Sequence, residues 1–320
     1  MHSLHSLIRS YSSLFSSLIP LLAMPFLLFA TAVLAVFLAP LMTDAGFIAF
    51  EDSSSLVNPF FFLVMLLFFT GILLLLIRYK LQVIIRLIIL ASLFLSYIYV
   101  FSAILSSFSL SFSLVSILGT VLAGCATVLL LRFPEWYVID VLGVLLAGGI
   151  ASIFGISLRP VPVIVLLVIL AVYDAVSVYR TKHMLTLADG VLEQKVPLMV
   201  VVPKKRNYSF MKEKYESIKP KASEHFSSSE PSKKHERGAY LMGLGDLIMP
   251  TVLVVSAAVF VPGGGIGIFS LCSITTLIGS LIGLCLLMFL VQRGSAHAGL
   301  PPLNGGAIIG FFIGMMLLSV

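Results

Sequence analysis

The chain reads as an all-α polytopic membrane protein. It has nine transmembrane helices, a cytoplasmic N-terminus, an extracytoplasmic C-terminus and one large cytoplasmic loop between helices six and seven. Three observations predict this. Of 320 residues, 59% are hydrophobic and 11% charged, where a soluble domain carries about a quarter charged residues. The apolar residues gather in runs long enough for a bilayer span, which takes about 20 residues of helix. The basic residues fall between those runs, mostly on one side. The net charge of +6 is therefore a topology signal, not a nucleic-acid footprint.

The first span, 18–42, follows Arg9. It is too long for a signal-peptide core of about 7–15 residues and is read as retained. Spans 57–77, 82–105, 109–131, 137–156 and 161–180 follow, then 240–261, 267–291 and 301–319. Each break has a chemical cause. Asp44, Glu51 and Asp52 close the first span, and Arg78, Lys80 and Arg86 separate the second from the third. A Ser/Phe/Leu-rich stretch without charge, 102–116, divides the third from the fourth. Arg132 and Pro134 end the fourth, Arg159 and Pro160 the fifth, and an uncharged Pro262–Gly265 turn the seventh. The break from Arg293 to Pro301 precedes the last span.

Nine spans put Arg9, the Arg78/Lys80/Arg86 group, Arg132, the 181–239 loop and Arg293 on one side. The other side holds Arg159 with Asp44, Glu51 and Asp52. The positive-inside rule makes the first side cytoplasmic. Three regions follow: 1–180, 181–239 and 240–320. Within the loop, 196–203 is β-rich and bounded by prolines, so it reads as a short strand. The Lys/Ser/Glu-rich part, 204–237, reads as disordered. Cys125, Cys272 and Cys285 lie inside apolar runs without ligand spacing and read as small buried side chains, neither metal ligands nor disulfides.

Two carboxylates interrupt this apolar pattern. Asp174 lies in span six and Asp246 near the start of span seven. An acid at membrane depth costs about 2.5–3.5 kcal/mol on insertion scales. Asp174 stands six residues before Arg180, about 9 Å of helix, and Asp246 nine residues after Arg237, about 13 Å at most. Both therefore sit in the cytoplasmic leaflet on consecutive spans. Two carboxyls brought close share one proton, so one member can activate water while the other protonates a carbonyl. Intramembrane acids also serve as proton relays or ion sites in transporters and channels. Physics alone leaves both readings open. Asp140 follows Trp136 and Tyr137, which look like interfacial residues, and is read as near-surface and structural.

The neighbouring residues carry a resemblance. Tyr173-Asp174, then Gly243-Leu244-Gly245-Asp246, then Pro301-Pro302-Leu303 resemble the YD, GxGD and Pro-Ala-Leu signatures of the presenilin and signal peptide peptidase family. These are intramembrane aspartyl proteases of nine spans, with the motifs in spans six, seven and nine. The third motif departs from the family pattern at Pro302 and at Asn304, where alanine and a second proline are usual. The Arg180-Thr181-Lys182-His183 segment looks like the archaeal presenilin homologues, and the orientation agrees with presenilin, whereas signal peptide peptidase is inverted. Prepilin peptidases share a GxGD aspartate but fit the nine-span order less well.

The resemblance implies a catalytic pair, Asp174 and Asp246, with no metal or organic cofactor. Tyr173, Gly243, Leu244, Gly245, Pro301, Pro302 and Leu303 would shape the site or bind substrate. The substrate would be a transmembrane segment of another protein, in the cell membrane of a prokaryote, with no nucleic-acid partner. A helical substrate must unwind before cleavage, and its freed backbone groups need partners in a bilayer. Val200, Val201 and Val202, as an exposed strand, or the chain entering span seven, would supply them by strand addition. No His-Glu-x-x-His and no Gly-x-Ser-Gly motif is present, which argues against zinc and serine chemistry. Gly279/Gly283 and Gly306/Gly310 offer a homo-oligomer interface, with packing inside one subunit the favoured reading.

Overall fold

A computed structural model describes residues 2–178, 199–203, 239–292 and 298–319, with side chains from residue 22 onward except Gln292. The expected disorder of 204–237, the Arg180–His183 segment and the Arg293–His297 break lie outside the described residues. Nine helices are present among them. They are α1 (His2–Asp44), α2 (Val57–Arg78), α3 (Gln82–Ser106), α4 (Phe112–Arg132), α5 (Trp136–Ser157), α6 (Pro160–Val176), α7 (Leu244–Phe260), α8 (Leu271–Gln292) and α9 (Leu300–Leu318). Seven contain segments long and apolar enough to cross a membrane. The other two, α6 and α7, are apolar but 17 residues long. At 1.5 Å per residue they reach roughly 25 Å, against a hydrocarbon core of roughly 30 Å. These short helices carry Asp174 and Asp246.

The sequence explains where both stop. Pro160 starts α6 at a position where its missing N–H is harmless. The helix loosens into a wider π-type turn at Ser177 and Val178, just after Asp174. α7 begins later than the apolar run suggests, because Ala239–Gly243 is a strand, β2. β2 pairs antiparallel with β1 (Met199–Pro203), with Val200 opposite Met242, Val201 opposite Leu241 and Val202 opposite Tyr240. The expected short strand is therefore present over Met199–Pro203. The expected helical start of span seven is corrected: a run of four or five apolar residues does not distinguish strand from helix.

One core joins α1, α5, α6, α7, α8 and α9, around Leu28, Leu38, Leu166, Leu167, Leu253 and Leu303. A second joins α3, α4 and α5 around Ile85, Tyr97 and Leu130. α2 stands at the periphery with Phe60, Phe61, Phe68 and Phe69 exposed, as a lipid-facing helix should. Cys272 is buried, but Cys125 and Cys285 are exposed. The expectation of buried cysteines thus fails for two, whose weakly polar thiols suit an apolar surface as well as a core.

The tightest helix pair is α8 against α9. A Cβ at Gly279 would strike the Gly306 carbonyl, one at Gly283 the Pro302 carbonyl, and one at Gly310 the Thr275 carbonyl. Both glycine pairs are therefore spent inside one chain, as small residues are where helix backbones approach closely. At the opposite end from the strands, the loop after α1 is tied to the α5–α6 turn. The Ala49 amide donates to Ser157 Oγ at 2.7 Å and the Arg159 amide to the Ser53 carbonyl at 2.9 Å. In that loop the Ser54 hydroxyl, then its amide, hold the Asp52 carboxyl below its ordinary value.

Candidate active site

Asp174 sits in the last turn of α6, 4% exposed. Its Oδ2 accepts the Leu300 amide at 3.0 Å, and the Gly299 amide also donates to its carboxyl. Leu300 is the first residue of α9 and Gly299 precedes it. Pro301 and Pro302 occupy the first turn, where a missing N–H costs nothing. The carboxylate of one helix therefore caps the N-terminus of another, where unpaired amides and the helix dipole favour an anion. Four residues further along, Asn304 Nδ2 donates to the Leu167 carbonyl of α6 at 3.0 Å. α6 and α9 are thus bonded at two levels, one at the acid and one about a turn beyond it.

Asp246 lies in the first turn of α7, half-buried. A Cβ on Gly299 would lie 3.2 Å from its Oδ2 and 3.4 Å from its Cγ and Oδ1. Gly299-Leu300 therefore adjoins both carboxyls, which lie within electrostatic range of each other. Pro250, inside α7 and buried, lacks the N–H that would bond the Asp246 carbonyl four residues back. The helix is loosened where the acid stands.

The other sequence-predicted residues fall into two groups. Gly243 caps α7, with a Cβ there meeting Asp246 Oδ2 at 3.7 Å, while at Gly245, which is exposed, nothing lies within 4 Å. Neither glycine has a positive φ, so their value lies in the space they leave. Tyr173 is half-buried beside Asp174, and Leu244 packs toward Gly143 of α5. Pro301 and Pro302 are half-buried, but Leu303 is fully buried in the core and lines no open surface. Gly299 and Leu300, just before the expected motif, adjoin the acids.

Val200, Val201 and Val202 are not exposed: they are 1%, 1% and 2% accessible. One edge of β1 is bonded to β2, and on the other the Val201 amide donates to Asp140 Oδ1 at 2.8 Å. Asp140 is buried, not near-surface, and its expected structural part is this bond. Because the Val201 amide turns away from β2, Val201–Leu241 is a non-hydrogen-bonded pair. The Leu241 amide and carbonyl then point away from β1 too, along an edge no described strand covers. Among the described residues, no group of three or more His, Cys, Asp or Glu is placed to hold a metal.

Comparison with known proteins identifies the family. The family model described as signal-peptide peptidase, presenilin aspartyl protease matches residues 25–320. A solved presenilin family intramembrane aspartate protease, in space group C222, is 38% identical with TM-score 0.67, over 93% of this chain and 99% of that one. A presenilin family intramembrane aspartate protease in space group P2 is 40% identical with TM-score 0.67, over 93% and 98%. No curated protein matches the chain.

Proposed function

Since the chain belongs to the signal-peptide peptidase, presenilin aspartyl protease family, and is an intramembrane aspartyl protease of membrane-protein substrates, we propose that Asp174 and Asp246 are its catalytic pair. The observation that carries this reading is that one dipeptide, Gly299-Leu300, bonds the Asp174 carboxyl and lies so near Asp246 that a Cβ on Gly299 would stand 3.2 Å from its Oδ2. Proton or ion coupling, left open by the acids alone, gains no support from fold or family.

The chemistry is general acid/base hydrolysis with water as co-substrate. Asp174, held by two amides at a helix N-terminus, is suited to the base, because hydrogen bonds to a carboxylate oxygen stabilise its charge. It takes a proton from water as the oxygen attacks the scissile carbonyl carbon. Asp246, which receives no such amides among the described residues, gives its proton to the carbonyl oxygen. Collapse of the resulting gem-diol breaks the C–N bond. The proton taken by Asp174 passes to the leaving nitrogen, and a diol proton returns to Asp246.

The substrate class is transmembrane helices of other proteins. Its unwound stretch adds as a strand to the outer edge of β2 at Leu241, because the outer edge of β1 is occupied by Asp140. The arginine and lysine bias supports a cytoplasmic N-terminus, and the resemblance to archaeal homologues supports a prokaryotic cell membrane. The test is cleavage of a single-span substrate by purified protein, with and without a transition-state inhibitor of aspartyl proteases. Inhibitable cleavage that disappears in Asp174→Ala and in Asp246→Ala is expected. Cleavage surviving either change removes that residue from the pair.

A further inference from the structure

Among the described residues, Asp140 is the buried carboxylate that the hydrolysis above does not use. It lies in the second turn of α5, and Gly143 stands three residues on, so both face the same way. This face holds two pieces of the site. Asp140 Oδ1 accepts the Val201 amide of β1 at 2.8 Å. At Gly143 the approach is close, since a Cβ there would lie 3.1 Å from Leu244 Cδ2 and 4.0 Å from Val200 Cγ2. Leu244 is the first residue of α7 and Asp246 the third. α5 is itself fixed at this level by the Tyr97 hydroxyl, which donates to the Leu142 carbonyl at 3.1 Å.

A strand that packs on a helix needs only apolar side chains. An acid there is expensive, and what it supplies is an acceptor for the outward amide of β1, which lipid could not satisfy. The link then runs without a break from Asp140 to Val201, across the strand pair to Leu241, and along the chain through Gly243 to Asp246. Asp174 is placed by a separate device, the amides of Gly299 and Leu300.

We propose that Asp140 is a positioning residue of the active site: its hydrogen bond to Val201 docks the two-stranded sheet on α5 and so sets where Asp246 stands against Asp174. The same bond closes the outer edge of β1 and leaves the edge of β2 for substrate. The proposal rests on the assignment of Asp246 to the catalytic pair.

Three variants of the full chain test it, each checked by thermal melting and assayed for kcat, KM and cleavage position by mass spectrometry. Asp140→Ala removes the acceptor. Asp140→Asn keeps an acceptor oxygen without the charge. Val201→Pro removes the donor without touching a bond between β1 and β2. Asp140→Ala should lower kcat by roughly ten- to hundredfold, leave KM little changed and spread cleavage over additional bonds. Asp140→Asn should restore most of the lost rate and the single cleavage pattern, and Val201→Pro should behave like Asp140→Ala. A merely structural Asp140 would lower the melting temperature and leave the cleavage positions alone, and that result overturns the proposal. So does an Asp140→Asn enzyme as impaired as Asp140→Ala, because the acceptor would then not be what matters. If Asp140→Ala does not fold, Val201→Pro decides by the same readouts. Asp246→Ala runs beside them: cleavage that persists in it defeats the pair assignment, whereas its loss beside an unaltered Asp140→Ala enzyme defeats this proposal alone.

Discussion

Gly299 lies beside both carboxyls, and its missing side chain leaves room for Asp246. A Cβ at this position would press on Asp246 at 3.2–3.4 Å, and the two methyls of valine would crowd it further. Its backbone angles, φ −80° and ψ −41°, are open to any residue. Gly299→Val should therefore fold, keep its melting temperature within a few degrees, and lose roughly ten- to hundredfold in kcat through displacement of Asp246. Unchanged turnover in a folded Gly299→Val protein would mean that Asp246 is not held against this backbone. Nothing in the sequence singles out Gly299 or Leu300, because the contact to Asp174 is made by backbone amides, which every residue but proline carries. The readable signal was indirect: a glycine before two prolines marks a helix N-terminus, and such a terminus attracts anions. The aspartates themselves were legible as acids that apolar spans do not tolerate without a use. Asp140 was legible as an acid but not as a buried one, since its partner Val201 lies 61 residues away in sequence.

Among the elements, the two strands carry the proposed mode of substrate binding. Proline at Val200 would break the sheet, and proline at Val201 would break the bond to Asp140, so neither isolates substrate pairing. Leu241 does, because its amide points along the edge of β2 that no described strand covers. Leu241→Pro is expected to raise KM for a helical substrate while leaving a short, already extended peptide substrate little affected. Equal effects on both substrates would argue against strand addition at β2. The strand in the loop was readable from its β-branched residues and bounding prolines. β2 was not, because Ala239–Gly243 merges with the apolar run of α7 and only pairing with Met199–Pro203 tells it apart. The small-residue pairs on α8 and α9 were readable as close-packing surfaces, and only the fold shows that each faces the other.

At the scale of the whole molecule, the proposed orientation rests on charge bias, and the proposed site lies at one end of the bundle. Asp174, Asp246 and the strands gather at one end of the bundle, and the loop carrying Glu51 and Asp52 closes the α5–α6 turn at the other. With the N-terminus cytoplasmic, as proposed, Glu51 would face outward. Glu51→Cys, in a chain whose three native cysteines are replaced by serine or alanine, should react with a membrane-impermeant maleimide added to intact cells. Labelling only after permeabilisation would invert the protein and place its chemistry outside. The nine helices among the described residues were legible because runs of about 20 apolar residues have few alternatives. The shortness of α6 and α7 was not, because their last or first residues stay apolar while leaving the helix.

Asp174 and Asp246 are proposed to perform the cleavage as one pair. The most direct test is turnover of a transmembrane substrate by purified wild-type, Asp174→Ala, Asp246→Ala and doubly substituted protein, all shown to be folded. Groups that act as a unit are non-additive, so each single substitution is expected to abolish cleavage as completely as the double. Residual cleavage in either single variant that falls further in the double would show the two acids contributing separately, not as a pair.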